Sequence, residues 1–406
     1  MRPGELSWRL LKHIMECLSD EYDLMSMMQT CRTLEEHGIP LILRHINLTF
    51  PASRMQLAQL RYLHQNLALH SSYIRILTCN NGILFPRPSR SLVQCLENAI
   101  QLQHLEISFS EKDSLDGDFV CHFSAFRNLH HIKLVKYYGT ALPLGELFDS
   151  IDSALKTVSV HTHGAQNESH PFHFISSLAK FSSSLEVIHL DVGVATDFSS
   201  KGLCQVVFPQ VRELDCKSQG TLDTDVLIST FPNVSVVKLW CHNEHLLLRS
   251  MLPLIRHQNQ QCQDAYSWAS LKDLTGDCVS LWTIGLKCDH VQSVTVQLPT
   301  APGSKLDSAS IVEIVSDVHP SHLSICVDAL SHKMPLSQEV ISLVPSSVKS
   351  LKIALYWHTT DESYVRNKLV GVMSMSFLMS DQFLSPQYRR SNFYKRPTTN
   401  TCGIYG

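Results

Sequence analysis

Histidine is the residue type in this chain with the most obvious chemical use. The sequence holds 22 histidines, and imidazole binds metals and transfers protons near neutral pH. No set supplies four ligands at the spacing of a structural zinc site, and no His-Glu-x-x-His pattern occurs. We therefore expect surface histidines and no metal site. The densest groups are His161 with His163, His170 with His173, and Cys241 with His242 and His245.

Sequence motifs for nucleotide binding and covalent catalysis are missing. The chain has no Gly-x-x-x-x-Gly-Lys-Ser/Thr loop, no Gly-x-Gly-x-x-Gly and no Gly-x-Ser-x-Gly. Carboxylates are numerous, but a sequence does not show which of them meet in space. We expect no catalytic residue and no cofactor, and we keep an enzyme with an unrecognised site as an alternative.

The composition favours a large folded protein. At 406 residues the chain exceeds a typical single domain, so two units or a repeat array are expected. Apolar residues make up 44% and charged residues 17%, which suits an extended core better than a disordered chain. The formal net charge of -3 gives no global basic field, so neither nucleic acid nor an anionic membrane is favoured as the main partner.

The cysteines indicate a reducing compartment. There are 13, scattered, without a Cys-x-x-Cys pair and without a preceding signal peptide. Reduced thiols in the cytoplasm or nucleus are therefore expected. No apolar run approaches the ~20 residues that a membrane-spanning helix needs, so no membrane partner is expected.

A six-residue pattern recurs through most of the chain: apolar, two free positions, apolar, one free position, apolar. Its first seven copies start at residues 74, 102, 129, 155, 185, 211 and 234, so the steps are 28, 27, 26, 30, 26 and 23. Further copies start at 291 and 348, a degenerate one lies at Leu323–Val327, and a poorly marked one at Leu271–Leu274. The period is about 27 residues, within the range of leucine-rich repeats.

Each copy predicts a short strand, because its last four positions alternate between apolar and free. Helical spacing of apolar residues marks the segments between, as at Ser91–Ile100, Leu144–Ile151 and Phe174–Phe181. Roughly residues 70–355 resemble leucine-rich repeat proteins. The resemblance implies an α/β solenoid with parallel strands on a concave face and helices on a convex face. An ordinary α/β sheet with accidental spacing is the alternative.

The opening segment does not fit the repeat. Apolar residues at Leu6, Leu10, Ile14 and Leu18 step by four along one helix face, with Leu11 alongside and Ser7 as the N-cap. Ser19-Asp20-Glu21 breaks this helix, and a second one follows. With its Asp23-Leu24 and Cys31-Arg32 pairs, the stretch from Leu6 to Leu48 resembles an F-box.

This resemblance implies a docking role. F-box modules bind the Skp adaptor of cullin-based ubiquitin ligases, and the attached repeats select the substrate. Two positions depart from the family, since Ser7 stands where it usually has proline and Arg9 where it usually has glutamate. The charge reversal would weaken docking. In the alternative, the hairpin only caps the first strand of the solenoid. The adaptor-facing positions would be Leu6, Ser7, Leu10, Leu11, Ile14, Leu18 and Leu24.

The free strand positions predict a partner-binding concave face. Basic residues up to Lys156 are followed by acidic ones from Glu186, and this mixed-sign surface suits a protein partner better than a phosphate backbone. Ordinary solvated strand residues are the alternative reading. The candidate residues are His104, Glu106, His131, Lys133, Lys156, Glu186, His189, Arg212, Glu213, Asp215 and Lys238.

The sequence therefore predicts three parts: an F-box-like helical module at 1–50, an irregular leucine-rich repeat solenoid at 51–358, and a C-terminal cap with a loosely ordered tail at 359–406. The expected function is a substrate-recruiting subunit of an SCF-type E3 ubiquitin ligase. It would bind a Skp-type adaptor, through it a cullin, and an unknown protein substrate. The alternative is a leucine-rich repeat interaction scaffold without ligase function.

Overall fold

The structure is a computed structural model with an α/β fold, and it divides into two compact units, Met1–Gln219 and Gly220–Gly406. No helix in the described ranges is both long and apolar enough to cross a membrane. The structure describes residues 7–49, 53–81, 95–109, 122–137, 144–163, 173–192, 206–218, 222–241, 250–263, 267–298, 308–328 and 348–356.

Three helices open the first unit: α1 (Trp8–Cys17), α2 (Glu21–Met28) and α3 (Arg32–Ile42). The Ser7 hydroxyl accepts a hydrogen bond from the N–H of Leu10 at 3.2 Å, which confirms the predicted N-cap of α1. A Cβ on Gly38 would lie 2.3 Å from Cγ of Met28, so this glycine lets α3 pack closely on α2. The core of this helical group consists of Met15, Leu24, Met28, Leu34 and Ile42.

Seven parallel strands follow in the first unit, and each pairs with the next one along the chain. They are β1 (His45–Thr49), β2 (Ile76–Asn81), β3 (His104–Phe109), β4 (His131–Tyr137), β5 (Thr157–His163), β6 (Val187–Val192) and β7 (Glu213–Ser218). The segments between them include α4 (Arg54–Gln65), α5 (Leu67–Ser71), α6 (Leu144–Ser150), α7 (His173–Ser177), and two short 3-10 helices, His122–Ala125 and Ala179–Phe181.

The second unit repeats this plan with five parallel strands, again paired in chain order. They are β8 (Val236–Cys241), β9 (Asp273–Asp277), β10 (Ser293–Gln297), β11 (His322–Asp328) and β12 (Ser350–Tyr356). Its helices are α8 (Thr224–Thr230), α9 (Leu252–Cys262), α10 (Cys278–Ile284) and α11 (Ser308–Val318). The buried amide of Asn259 on α9 donates to the carbonyl oxygens of Leu222 and Thr283, at 3.0 and 2.9 Å, and so connects neighbouring repeats.

The three apolar positions of the sequence pattern form the core. In the copy that contains β3, for example, Leu102, Leu105 and Ile107 are each at most 5% exposed. Cys79 and Cys216 take the last apolar position of their copies, and burial raises the pKa of both thiols to about 12. These two cysteines therefore stay protonated and pack as small apolar residues.

The structure confirms a strand at each predicted copy, including the degenerate copy in β11 and the poorly marked one in β9. The prediction missed β1, which lies inside the range assigned to the F-box-like module. Its signal is present, because Leu43, Ile46 and Leu48 complete a further copy of the pattern.

The predicted helices were found in part. Leu144–Ile151 is confirmed as α6, whereas Phe174–Phe181 divides into α7 and a 3-10 turn. Of Ser91–Ile100, residues 95–98 are helical and those before 95 lie outside the described residues, as does the predicted tail at 359–406. The boundary between the two compact units follows Gln219, within the range predicted as one solenoid.

Candidate interaction surfaces

The strands of the first unit align their outward side chains in rows that run across the sheet. The parallel register places residue three of each pattern copy beside its counterpart on the next strand, and residue five likewise. We call these the first and second rows. Together with the residues at which the chain enters each strand, the entry row, they make up the polar face. The first row is His45, Ile76, His104, His131, Thr157, Val187 and Glu213. The second row is Asn47, Thr78, Glu106, Lys133, Ser159, His189 and Asp215.

A further row lies where the chain enters each strand. The N–H groups of Gln103 and His104 both donate to the carbonyl oxygen of Arg75, at 2.8 and 3.0 Å. The same shared-carbonyl arrangement recurs at each strand from β2 to β7, and it keeps two successive residues outside the core. We call this the entry row: Arg44, Arg75, Gln103, His130, Lys156, Glu186 and Arg212.

Charges on this face pair across neighbouring strands. Lys133 contacts Glu106 at 2.7 Å, and Lys156 contacts Glu186 at 3.1 Å. A third row, continuing beyond the second, places His161, Asp191 and Lys217 side by side. There the nearly buried carboxylate of Asp191 receives Lys217 at 2.7 Å. These pairs neutralise one another, so charge counting alone overstates the field on this surface.

The imidazoles cluster on β3 and β4. The rings of His104 and His131 meet edge to face with 4.1 Å between centroids. Burial lowers the pKa of His104, and His130 and His45 nearby lower it further. Burial also lowers the pKa of His131, with His104 as the next cause. Both rings are therefore held as neutral hydrogen-bonding groups more strongly than ordinary surface histidines.

The structure brings most of the predicted partner-binding residues together. His104, His131 and Glu213 lie in the first row, and Lys156, Glu186 and Arg212 in the entry row. Lys238 lies on β8 of the second unit, beside Thr275 of β9. The remaining four, Glu106, Lys133, His189 and Asp215, lie in the second row.

Sequence reasoning missed three basic residues on this face: Arg44, His45 and Arg75. The signal was available, because Arg75 holds the second position of the copy at 74–79. Arg44 and His45 hold the second and third positions of the copy that begins at Leu43. Applying the rule to the copy at 74–79 would have identified Arg75, and extending the pattern by one unit would have identified Arg44 and His45.

A second candidate surface lies on α1. Trp8, Leu10 and Ile14 are 53%, 47% and 37% exposed, although all three are large and apolar. Met15 of the same helix is 1% exposed and belongs to the core of the helical group. The apolar stripe on α1 is therefore wider than its neighbouring helices cover, and its outer part faces water.

The predicted adaptor-binding positions divide between exposed and buried sites. Leu10 and Ile14 are exposed, while Ser7, Leu11 and Leu18 are partly buried. Leu24, on α2, is only 6% exposed and belongs to the core of the helical group. Leu6 lies outside the described residues.

Of the histidines singled out in the sequence, His170, His242 and His245 lie outside the described residues. In the part of the chain that the structure describes, no three His, Cys, Asp or Glu side chains are arranged to hold a metal ion. His161 instead lies in the third row next to the polar face, where the Ser159 hydroxyl lies 2.8 Å from its Nε2.

The chain matches no protein-family model and no curated protein.

Proposed function

We propose that the chain is a substrate-recruiting subunit of an SCF-type E3 ubiquitin ligase in the cytoplasm or nucleus. Its N-terminal helices would act as an F-box that binds a Skp-type adaptor and through it a cullin. Its leucine-rich repeats would bind the target protein. Such a subunit raises the effective concentration of substrate at the transfer machinery and needs no catalytic residue of its own.

The exposed stripe on α1 is the observation that carries this proposal. A helix that merely sealed the end of a repeat array would turn its apolar residues inward. Leu10 and Ile14 instead lie one turn apart on the solvent side, while Met15 already supplies the contact with the core. Exposed apolar residues at helical spacing are typical of a surface that another protein covers.

The experiment is a titration of the full chain with a purified Skp-type adaptor by isothermal calorimetry. Leu10→Asp combined with Ile14→Asp should weaken binding by at least about a hundredfold, because two apolar contacts are lost to charged groups. The matched control is Leu57→Asp with Leu69→Asp, since these leucines are 56% and 49% exposed elsewhere in the same unit. Wild-type protein that shows no binding at micromolar concentration contradicts the ligase function.

A scaffold without ligase function is the second candidate, and Arg9 favours it. This residue is exposed beside Leu10, where the resemblance predicts a glutamate. If the chain is a scaffold, wild-type protein should not bind the adaptor, and Ser7→Pro with Arg9→Glu should create binding. If it is a ligase subunit, wild-type protein binds and the double variant changes only the affinity.

A further inference from the structure

Positive charge and imidazole concentrate at one end of the polar face. The entry and first rows of β1 to β5 supply ten side-chain positions, and none of the ten is a carboxylate. We call these positions the cationic end. They are Arg44, His45, Arg75, Ile76, Gln103, His104, His130, His131, Lys156 and Thr157.

Two arginines supply the positive charge at this end that is not paired within the described residues. Lys156 is already paired with Glu186 of β6. Arg44 and Arg75, in contrast, make no ion pair with any residue that the structure describes, and they are neighbours in the entry row. A guanidinium presents a planar fork of donors that matches a carboxylate or a phosphate.

The width of the cationic end limits the length of the ligand segment that it can bind. Adjacent strands lie about 4.8 Å apart, so the four gaps from β1 to β5 span about 19 Å. An extended peptide advances about 3.3 Å per residue, and about six residues would cross this distance. The imidazoles along the way can form hydrogen bonds with such a backbone.

We propose that the cationic end binds a short acidic segment of a partner protein, with Arg44 and Arg75 holding its anionic side chains. This rests on the proposed role of the polar face in substrate binding and names the class of substrate segment. Carboxylates and phosphorylated side chains share the required chemistry.

A nucleic acid fits this surface less well. Glu186 follows the cationic end in the entry row, and Glu213 and Asp215 follow on β7. A continuous phosphate backbone that ran on along the sheet would meet these carboxylates, whereas a short peptide would stop before them.

The test is fluorescence anisotropy of the full chain with a labelled peptide of six glutamates flanked by glycine and serine. A peptide with six glutamines is the neutral probe. Arg44→Gln with Arg75→Gln should weaken glutamate-peptide binding about tenfold, since each exposed charge pair contributes little alone. The matched control, Arg54→Gln with Arg61→Gln, removes the same charge from two exposed positions on α4 and should leave the affinity unchanged.

Equal losses in the two double variants overturn the proposal, as does equal binding of the neutral peptide. A peptide with three phosphoserines distinguishes the sources of negative charge. Tighter binding than the glutamate peptide assigns the site to phosphorylated partners, and weaker or equal binding to acidic sequences. Single-stranded oligothymidine that competes as well as the acidic peptide contradicts a protein ligand.

The same variants separate this proposal from the ligase function. Arg44→Gln with Arg75→Gln should bind the Skp-type adaptor as wild type does. Leu10→Asp with Ile14→Asp should keep its affinity for the acidic peptide. Thermal unfolding of each variant identifies any loss of binding that follows from a loss of folding, and Arg44→Lys with Arg75→Lys, which keeps the charge, then tests the site in a folded chain.

Discussion

His104 and His131 respond to pH through their position between neighbouring strands. Because burial lowers the pKa of both imidazoles, the folded chain takes up protons less readily there than the unfolded chain does. The unfolded histidines titrate near about 6.5. Stability from these residues is therefore complete above that pH and falls as the pH drops below it toward the lowered folded values.

We expect the urea midpoint of the full chain to fall between pH 7.5 and pH 5.5. His104→Gln with His131→Gln should make this fall shallower, because two groups that resist protonation are removed. His64→Gln with His257→Gln replaces two exposed helix histidines and should leave the slope unchanged. An identical slope in wild type and the His104, His131 variant would contradict the assignment.

Arg256 shows how a buried charge joins three helices of the second unit. It lies on α9, donates to Oδ2 of Asp317 on α11 and to the carbonyl of Trp282 on α10, and lies 5.0 Å from the Trp282 ring centroid. Arg256 is 7% exposed. Burial raises the pKa of Asp317, and the arginine opposes this.

Arg256→Met should lower the free energy of unfolding by about 2–3 kcal/mol, since Asp317 is left half-buried without its cation. Adding Asp317→Leu should restore part of this loss. Chemical denaturation of the wild type, both single variants and the double variant gives the coupling energy. Additive single effects would show that the two residues do not act together.

At the scale of the element, Gly276 sets how closely two strands approach. It lies on β9 opposite Leu239 of β8. A Cβ there would lie 2.2 Å from the Leu239 carbonyl oxygen, so backbone would have to move. The next residue, Asp277, accepts from the N–H of Cys241 at 2.6 Å and caps α10 through Ser280. The close approach thus brings the cap and the strand together.

Gly276→Ala should destabilise the chain by more than about 2 kcal/mol, because the clash is with backbone. Gly145→Ala on α6 is the control, since its Cβ would lie 3.3 Å from the Ser177 hydroxyl and alanine favours a helix. Thermal unfolding should therefore show a lower midpoint for the first variant and little change for the second. Equal midpoints would contradict this role of Gly276.

The strands could be predicted from the sequence more fully than the helices and the surfaces could. A strand of this fold needs three apolar residues at fixed spacing, and each copy carries them locally. The exposure of Leu10 and Ile14 depends instead on how much of the apolar stripe on α1 is covered by α2 and α3. The helical spacing of apolar residues does not predict this. Likewise, the pairing of Lys133 with Glu106 requires the inter-strand register. The sequence predicted that Lys133 and Glu106 lie on the face, but it did not predict that their charges pair.

At the scale of the whole molecule, the described strands pair only with their neighbours in the sequence. The destabilising effect of a core substitution should therefore stay local. Ile325 on β11 is fully buried between Val296 and Ile353 of the adjacent strands. Ile325→Ala should leave a cavity that costs about 2–5 kcal/mol. We expect hydrogen exchange to become faster in β10 to β12 and to stay unchanged in β2 to β5. Uniform acceleration along the chain would indicate a single cooperative unit instead.

The shared carbonyl at the entry of each strand from β2 to β7 has an evolutionary consequence. It leaves two successive side chains per repeat outside the core, so mutations there alter what the surface recognises without disturbing the fold. Related chains could therefore diverge quickly at these pairs while their buried leucines stay fixed. A designer could use the same freedom, rewriting two letters per repeat to direct the protein toward a chosen partner.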